Sequence, residues 1–231
     1  MQKVLIALLA LSASSSALAA DAALLVYKVW EQGTEPYITR MLITDAHVRL
    51  DEGQDQADYT LFDRDAGIIY NVSFEDQSVL VIEPELEQLP AASGLIFSEN
   101  DAEDAAAPLV GGVRPHNVEL LANGESCSKL VTLPGLMEPA LKGLREFKQV
   151  LARVQAAGLA ARPEQLQTPC DLAMNVHAAT RTVDFGLPIR EQSEGRAQAL
   201  LDYAAVHAVD DALFRVPEDF NRQVMPQLPA L

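Results

Sequence analysis

Histidine and cysteine are both scarce in this chain, which has 231 residues, four histidines and two cysteines. None of the histidines lies three or four residues from another, and none belongs to a cluster with cysteine; they are His47, His116, His177 and His207. Zinc and related metals are usually held by such closely spaced side chains. The sequence therefore predicts no metal site.

Catalytic motifs are missing as well. The chain has no G-x-S-x-G nucleophile motif, no phosphate-binding G-x-x-x-x-G-K-[ST] loop and no G-x-G-x-x-G dinucleotide motif. Ser126 and Ser128 flank Cys127, but no pattern of histidine and acid accompanies them. Because the chain has 33 acidic residues, neighbouring carboxylates are expected by chance. We therefore expect a protein that is not an enzyme and that uses no cofactor.

Long apolar runs are absent except near the N-terminus, where residues 4–11 follow the basic Lys3. Small residues dominate positions 12–20, and Ala17-Leu18-Ala19 fits the A-x-A rule for signal-peptide cleavage. The apolar run is too short for a membrane anchor, which needs about 20 residues. We expect residues 1–19 to be a signal peptide, with the cut before Ala20 or one residue later. Residues 20–231 are then a single exported, periplasmic domain that is not embedded in the membrane.

Basic residues are few, since 17 lysines and arginines stand against 33 aspartates and glutamates, giving a formal net charge of −16. Such a negative field repels phosphate backbones, so nucleic acid is excluded as a partner. The acidic balance does not by itself identify a cationic ligand, because it commonly serves solubility.

The two cysteines, Cys127 and Cys170, are 43 positions apart. In an oxidising compartment an isolated pair of this kind predicts one structural disulfide, worth at most about 4 kcal/mol in the chain-entropy model. Metal ligation and redox catalysis are the alternatives. A C-x-x-C motif or a histidine at ligand spacing would favour them, and the chain has neither.

Short apolar runs with a two-residue alternation fill the N-terminal third of the exported part. They cover residues 24–31, 37–44, 47–51, 59–63, 68–74 and 78–83. Turn-forming residues separate the runs. This pattern predicts an antiparallel meander of about six strands.

The middle of the chain changes character. Residues 98–107 are acidic and small, and residues 108–115 contain prolines and glycines, so we expect an irregular acidic loop near residues 98–115. The Asn123-Gly124 turn predicts a hairpin that carries Cys127.

One long helix is expected over residues 136–157. Apolar residues recur there at three-to-four spacing: Leu141, Leu144, Phe147, Val150, Leu151 and Val154. Residues 171–178 read as a strand, and residues 189–192 and 196–209 as a closing hairpin, although the composition of 200–209 equally fits a helix. Residues 218–231 read as a loop.

The closing segment resembles a known superfamily. Gly186-Leu187-Pro188-Ile189-Arg190, followed by a glycine turn, a strand and the stretch 211–220 (DALFRVPEDF), is similar to the end of periplasmic proteins of the lipoprotein-carrier (LolA/LolB-like) superfamily. The Phe62-Asp63-Arg64 turn in the meander fits the same scheme. The match is nearer to uncharacterised relatives than to the carriers, whose functional residues have no one-to-one counterpart here.

The resemblance implies an α+β fold: a curved, unclosed antiparallel β-barrel, or half-barrel, with the long helix packed on its concave face over an apolar cavity. Aromatic residues in strands usually form core, but an incompletely filled core of this kind is a pocket. The candidate cavity residues are Trp30, Tyr70, Phe74, Leu144, Phe147 and Leu151.

The resulting functional prediction is a non-catalytic periplasmic protein that binds or carries an apolar ligand such as a lipid or acyl chain. The alternative is a protein-interaction or regulatory module of a cell-envelope complex, with residues 98–107 or the C-terminal tail as the contact. An enzymatic function ranks last. The sequence leaves the oligomeric state open.

Overall fold

The computed structural model describes residues 19–83, 92, 94–160 and 167–225. The predicted signal peptide, apart from Ala19, lies outside these residues, as does the end of the tail after residue 225.

Twelve strands form one sheet in the described part of the chain. They are β1 (Ala19–Glu31), β2 (Tyr37–Ile43), β3 (His47–Asp51), β4 (Tyr59–Asp63), β5 (Ile68–Ser73), β6 (Ser78–Ile82), β7 (Phe97–Glu103), β8 (His116–Ala122), β9 (Glu125–Leu133), β10 (Leu187–Ser193), β11 (Arg196–Asp210) and β12 (Asn221–Val224). Their spatial order is β12-β6-β5-β4-β3-β2-β1-β11-β10-β9-β8-β7. Neighbours are antiparallel except β12, which runs parallel to β6. Because β7 and β12 are separate edges, the sheet is open and is not a closed barrel.

The predicted N-terminal meander is confirmed, since β1 to β6 pair in sequence order. Local turn chemistry sets the registers. In the turn between β4 and β5, a carboxylate oxygen of Asp63 accepts hydrogen bonds from the backbone N–H groups of Asp65 and Ala66, at 3.1 and 2.9 Å. An aspartate at this position satisfies the turn backbone directly, so the local sequence favours the hairpin.

The two-residue alternation of β1 gives the sheet two apolar faces. Leu25, Tyr27 and Val29 belong to one buried cluster, and Leu24 with the half-buried Val26 belongs to another. Successive side chains of a strand point to opposite sides, so both faces of this part of the sheet are covered. We call them the helix face and the tail face, after the segments that pack on them.

Helix α1 (Glu138–Ala160) packs on the helix face. The helix begins two residues later and ends three residues later than the predicted range of 136–157. Leu141, Leu144, Phe147 and Val150 are buried in the same cluster as Leu25 and its neighbours on β1. The approach is close at Gly143, where an added Cβ would lie 2.8 Å from Cγ2 of Ile43.

The C-terminal segment covers the tail face. A 3₁₀ turn (Asp211–Phe214) buries Leu213 and Phe214 against β3 to β6, and Phe220 packs beside them. The chain then pairs as β12 with β6, through hydrogen bonds from the N–H of Asn221 to the carbonyl of Gln77 (2.9 Å) and from Met225 to Val81 (2.8 Å). The tail was predicted to be a loop. The strand forms because β6 offers an unpaired edge, which local sequence does not report.

Residues 171–178 were predicted to be a strand, and that prediction is wrong. They form α2 (Pro169–Leu172) and a π-helical turn (Ala173–His177), and α3 (Arg181–Asp184) follows. Thr168 caps α2 by accepting a hydrogen bond from the N–H of Asp171 at 3.0 Å, and a proline opens the helix. The buried Ala173 and Val176 are three residues apart, which is helical spacing.

The acidic stretch was predicted to be irregular, but its first half is the edge strand β7. Its side chains from Ser98 to Glu103 are exposed, so burial does not select this strand. Instead, the strand is held by backbone pairing with β8, in register from Phe97↔Ala122 to Glu103↔His116. Strand formation depends strongly on the neighbouring strand, and composition alone underestimates it here.

Candidate functional site

The six predicted cavity residues lie on two surfaces. Leu144 and Phe147 are buried on the helix face, and Leu151 is half-buried there. Trp30 alternates with the inward-pointing Val29, so its side chain lies on the opposite side of β1 and is 39% exposed.

The remaining two also lie on the tail face. Tyr70 belongs to the tail-face cluster. The ring of Phe74 has its centroid 6.3 Å from that of Tyr59 and 5.2 Å from that of Phe220. The structure therefore places three of the six residues on each face, and Trp30, on β1, is four strands away from Tyr70 on β5 in the sheet order.

One cavity opens on the helix face beyond α1. Its volume is about 440 Å³, and its lining includes Thr39, Leu50, Thr60, Asn71, Ser78 and Leu80. Leu50, Thr60, Asn71 and Leu80 are paired across β3 to β6 and so form one row of side chains. The row lies two residues along the strands from Phe62 and Ile69, which are buried. No α1 residue lines the cavity, so we call it the helix-face cavity.

The lining of the helix-face cavity is amphipathic. Leu50 and Leu80 are half-buried and pack on the main cluster. The hydroxyl of Thr60 donates a 2.8 Å hydrogen bond to the side-chain oxygen of Asn71. Acidic residues, Glu52 and Asp58, stand at the rim. A bound molecule would contact two leucines with a threonine and an asparagine between them.

A second cavity, of about 640 Å³, lies on the tail face. We call it the tail-face pocket; its lining is Arg49, Asp55, Tyr59, Phe74, Ala212, Arg215, Val216, Pro217, Glu218 and Arg222. It is bounded on one side by the ends of β3 and β4 and on the other by the C-terminal segment. Its charged lining differs from that of the helix-face cavity.

Arg49 forms the inner end of this pocket and is 1% exposed. Its Nε donates to Asp51 at 2.7 Å, its Nη1 to the carbonyl of Leu213 at 2.6 Å, and its Nη2 to the carbonyl of Asp55 at 3.2 Å. The guanidinium carbon lies 3.8 Å from the ring centroid of Tyr59, a cation–π distance. Such a buried charge is tolerated because it is paired and hydrogen-bonded.

Asp51 holds two guanidiniums at once. Arg40 donates to both of its oxygens at 2.8 Å, and Arg49 donates to one of them. Burial on its own would raise the pKa of Asp51, but the hydrogen bonds from Arg40 and Arg49, with the N–H of Gly53, outweigh burial and lower the pKa below its ordinary value of 3.8. Burial raises the pKa of the Tyr59 hydroxyl, which donates a 2.6 Å hydrogen bond to the carbonyl of Arg215.

Lys148 is a half-buried cation on α1 that makes no hydrogen bond or ion pair in the described residues. Burial lowers the pKa of its ammonium, and the charges nearest to it are those of Glu191, Arg196 and Asp184. The side-chain amide of Gln198 donates a 2.7 Å hydrogen bond to the carboxylate of Glu191. Lys148 lines neither the helix-face cavity nor the tail-face pocket.

The disulfide is confirmed. Cys127 in β9 and Cys170 in α2 are bonded, with their Cα atoms 5.1 Å apart. Within the described ranges, no group of three or more histidine, cysteine, aspartate or glutamate residues is placed to hold a metal ion. Nor does any helix there have the length and apolar character needed to cross a membrane.

Sequence reasoning missed the tail-face pocket entirely. One signal was available: the alternation of β3 places Arg49 and Asp51 on the same side, opposite the apolar Val48 and Leu50. On a sheet with one buried face, this pattern indicates a solvated side. Only the return of the C-terminal segment buries these two residues.

Comparison with known proteins gives little. No protein-family model matches the chain, and no curated protein matches it. Among solved structures it is similar to that of PNGF-II, with 10% sequence identity and a TM-score of 0.40. That match covers 89% of this chain and 31% of the other, so the chain spans about a third of that protein's length. A likeness at this level carries no argument about function.

Fold and site define the class: an open, mostly antiparallel sheet protein with one disulfide and a cavity on each face.

Proposed function

We propose that this protein is a non-catalytic, exported, periplasmic protein that binds or carries an apolar ligand such as a lipid or acyl chain. The ligand would lie on the helix face, which we take to be the concave side of a half-barrel. The single observation that carries this proposal is the helix-face cavity, whose floor continues the buried apolar cluster without being covered by α1.

The size and lining of the cavity support a small amphiphile. Its volume of about 440 Å³ falls within the range of about 300–1,000 Å³ that is usual for small-molecule sites. Leu50 and Leu80 are half-buried apolar residues. A ligand that removes their remaining surface from water makes the free energy of binding more favourable by about 25 cal/mol per Å². Thr60 and Asn71, which lie between the two leucines in the row, offer polar groups to the polar part of such a ligand.

The disulfide is compatible with export, because such bonds persist in oxidising compartments. It does not bear on the ligand.

The test is native mass spectrometry after mild extraction, followed by titration of the delipidated protein with palmitate. We expect a co-purifying or added acyl compound to be retained. Leu80→Asn, which places an amide on the cavity floor, should weaken palmitate binding about tenfold, because it removes apolar contact area. The matched control is Val206→Asn, an apolar residue of β11 that is 68% exposed and lines neither cavity.

Reproducible absence of any bound lipid, before and after addition, would rule the proposal out. Equal palmitate affinity of the wild type and Leu80→Asn would move the site away from the helix-face cavity.

The alternative, docking of an envelope partner on the acidic stretch, is less favoured. Three of its carboxylates are already engaged within the chain: Glu99 with Arg181, Asp101 with His116, and Glu103 with Arg114. Removing residues 101–107 and repeating a pull-down from envelope extract would test it, and lost partners would revive it.

A further inference from the structure

The tail-face pocket brings arginines together in a chain where acidic residues outnumber basic ones by 33 to 17. Three guanidiniums line it, those of Arg49, Arg215 and Arg222. Their states differ. Arg49 donates hydrogen bonds to Asp51 and to two backbone carbonyls and is 1% exposed, so it contributes rigidity at the inner end of the pocket.

Arg222 is the cation available to a ligand. It is exposed and makes no hydrogen bond or ion pair within the described residues. Its direction is set by β12, where it pairs with Val79 of β6, a residue of the tail-face cluster. Paired residues of neighbouring strands point to the same side, so the guanidinium projects on the tail face, and it lines the pocket.

Arg215 stands across the pocket from β12 with its backbone fixed. Its carbonyl accepts the hydrogen bond from Tyr59, and its N–H donates to Ala212 at 3.2 Å. Its side chain is 67% exposed and pairs with Asp211 at 2.6 Å. An exposed pair of this kind is weak and is easily exchanged for a ligand anion.

Aromatic rings supply the apolar wall. Phe74 is 36% exposed and stands between Tyr59 and Phe220 in a row of three rings. Exposed aromatic surface beside arginine suits a flat ligand, because both the ring and the guanidinium can stack on it.

Two carboxylates also line the pocket, and they limit its charge. Asp55 is held by Arg40 at 2.7 Å. Glu218 makes no ion pair in the described residues, so it opposes any anion that enters.

We propose that the tail-face pocket binds a small organic anion, namely a carboxylate or phosphate joined to a flat apolar group. Arg222 and Arg215 bind the anion by charge-assisted hydrogen bonds, and the flat group lies against Phe74. The pocket volume of about 640 Å³ admits such a molecule. This site is on the opposite face from the proposed lipid cavity and does not depend on it.

The experiment titrates the purified protein with phenyl phosphate, using calorimetry for affinity and backbone amide shifts for location. We expect saturable binding, with shifts at Phe74, Arg215 and Arg222, which line the tail-face pocket and not the helix-face cavity. Benzyl alcohol and inorganic phosphate, which each lack one half of the ligand, should bind at least about tenfold more weakly.

Charge variants test the residues. Arg222→Gln should weaken phenyl phosphate binding about tenfold, and Glu218→Gln should tighten it a few-fold by removing the opposing charge. Arg190→Gln is the matched control, since Arg190 is an exposed arginine of β10 without an ion pair in the described residues. It should bind like the wild type.

A backbone variant tests the same wall without changing charge. The alternating donors of β12, Asn221 and Met225, place the N–H of Gln223 toward β6 and that of Val224 away from it. Gln223→Pro should therefore detach β12 and lose phenyl phosphate binding, whereas Val224→Pro should keep both.

The proposal is overturned if the wild type shows no saturable binding, if Arg222→Gln and Arg190→Gln bind equally well, or if benzyl alcohol binds as tightly as phenyl phosphate. Shifts confined to β2 and the helix-face cavity would also overturn it. If Arg222→Gln does not fold, the result with Glu218→Gln decides the question.

Discussion

Arg49 and Asp51 make the tail face a polar interior at the scale of single residues. Arg49 is among the largest fully buried side chains in the described part of the chain. It links β3 to the C-terminal segment through its bond to the Leu213 carbonyl, across 164 residues of sequence. A buried ion pair of this kind adds little net stability over an apolar pair, but losing one partner is costly because the other charge stays buried.

Because the pKa of Asp51 is lowered, we predict that its contribution to the free energy of unfolding depends on pH. A carboxyl whose folded-state pKa is lowered stabilises the fold above its unfolded pKa, near 3.8, and that contribution is lost as the pH falls through the folded pKa. Asp51→Asn should therefore lower the free energy of unfolding by about 2 kcal/mol at pH 7. The gap from the wild type should narrow below about pH 4.

Urea unfolding of both proteins between pH 7 and pH 3 measures this. Asp45→Asn is the control, because Asp45 is exposed and makes no hydrogen bond in the described residues. A gap between Asp51→Asn and the wild type that stays constant over the whole range would contradict the prediction.

Among the helices and strands, the close packing of α1 on the sheet depends on a glycine, Gly143. Glycine inside a helix is normally unfavourable by about 1 kcal/mol relative to alanine. Gly143 is retained at a place where a Cβ would lie 2.8 Å from Ile43 and 3.3 Å from Val48. The helix axis can therefore approach β2 and β3 closely, and Arg64 can reach Glu146 at 2.7 Å.

Two glycine-to-alanine variants of the same helix should have opposite effects. Gly143→Ala should destabilise the protein by about 1–3 kcal/mol through overpacking. Gly158→Ala has nothing within 4 Å of the new methyl group and should stabilise it by about 0.5–1 kcal/mol. Thermal and urea unfolding compare them. Stabilisation by both variants would show that α1 does not lie against Ile43 as described.

The whole molecule is a sheet covered from both sides by parts of its own chain. Helix α1 covers one face and the C-terminal segment covers the other, and an apolar cluster lies on each of these faces. The disulfide closes a loop of sequence separation 43 that contains α1, and it ties β9 to α2. The segment that follows α1 is therefore linked covalently to the sheet.

Reduction of this bond should lower stability by about 2–4 kcal/mol, because the unfolded chain regains the freedom of that loop. Urea midpoints with and without dithiothreitol measure the effect. The double variant Cys127→Ala with Cys170→Ala should match the reduced wild type and should not respond to reductant. An unchanged wild-type midpoint after verified reduction would refute the prediction.

Sequence reasoning worked best where local physics decides. The meander from β1 to β6 was predicted within a few residues, because its strands alternate and its turns carry residues such as Asp63. The hairpin at Asn123-Gly124 was predicted for the same reason, and its turn has positive φ at both residues. The disulfide was predicted from the expected export of the chain and from its two cysteines, and the bond is present.

Prediction failed where a distant partner decides. The residues 171–178 alternate weakly and were assigned to a strand, but the cap at Thr168 and the packing of Ala173 favour helix. Residues of β7 have no apolar side to predict a strand, and β12 exists only because β6 has a free edge. The candidate cavity residues stay a prediction; they were chosen by residue type, which does not reveal on which face of a strand an aromatic side chain lies.

By itself, the sequence determined the strands of the meander, the position of the long helix, the paired cysteines and the acidic charge, because each follows from local periodicity or composition. Only the tertiary structure decided which face each strand presents to α1, that the C-terminal segment returns over β3 to β6, and that Arg49 and Asp51 are buried beneath it. The reason is physical: a side chain's burial depends on what packs over it, and the segment that buries Arg49 is 164 residues away in the chain.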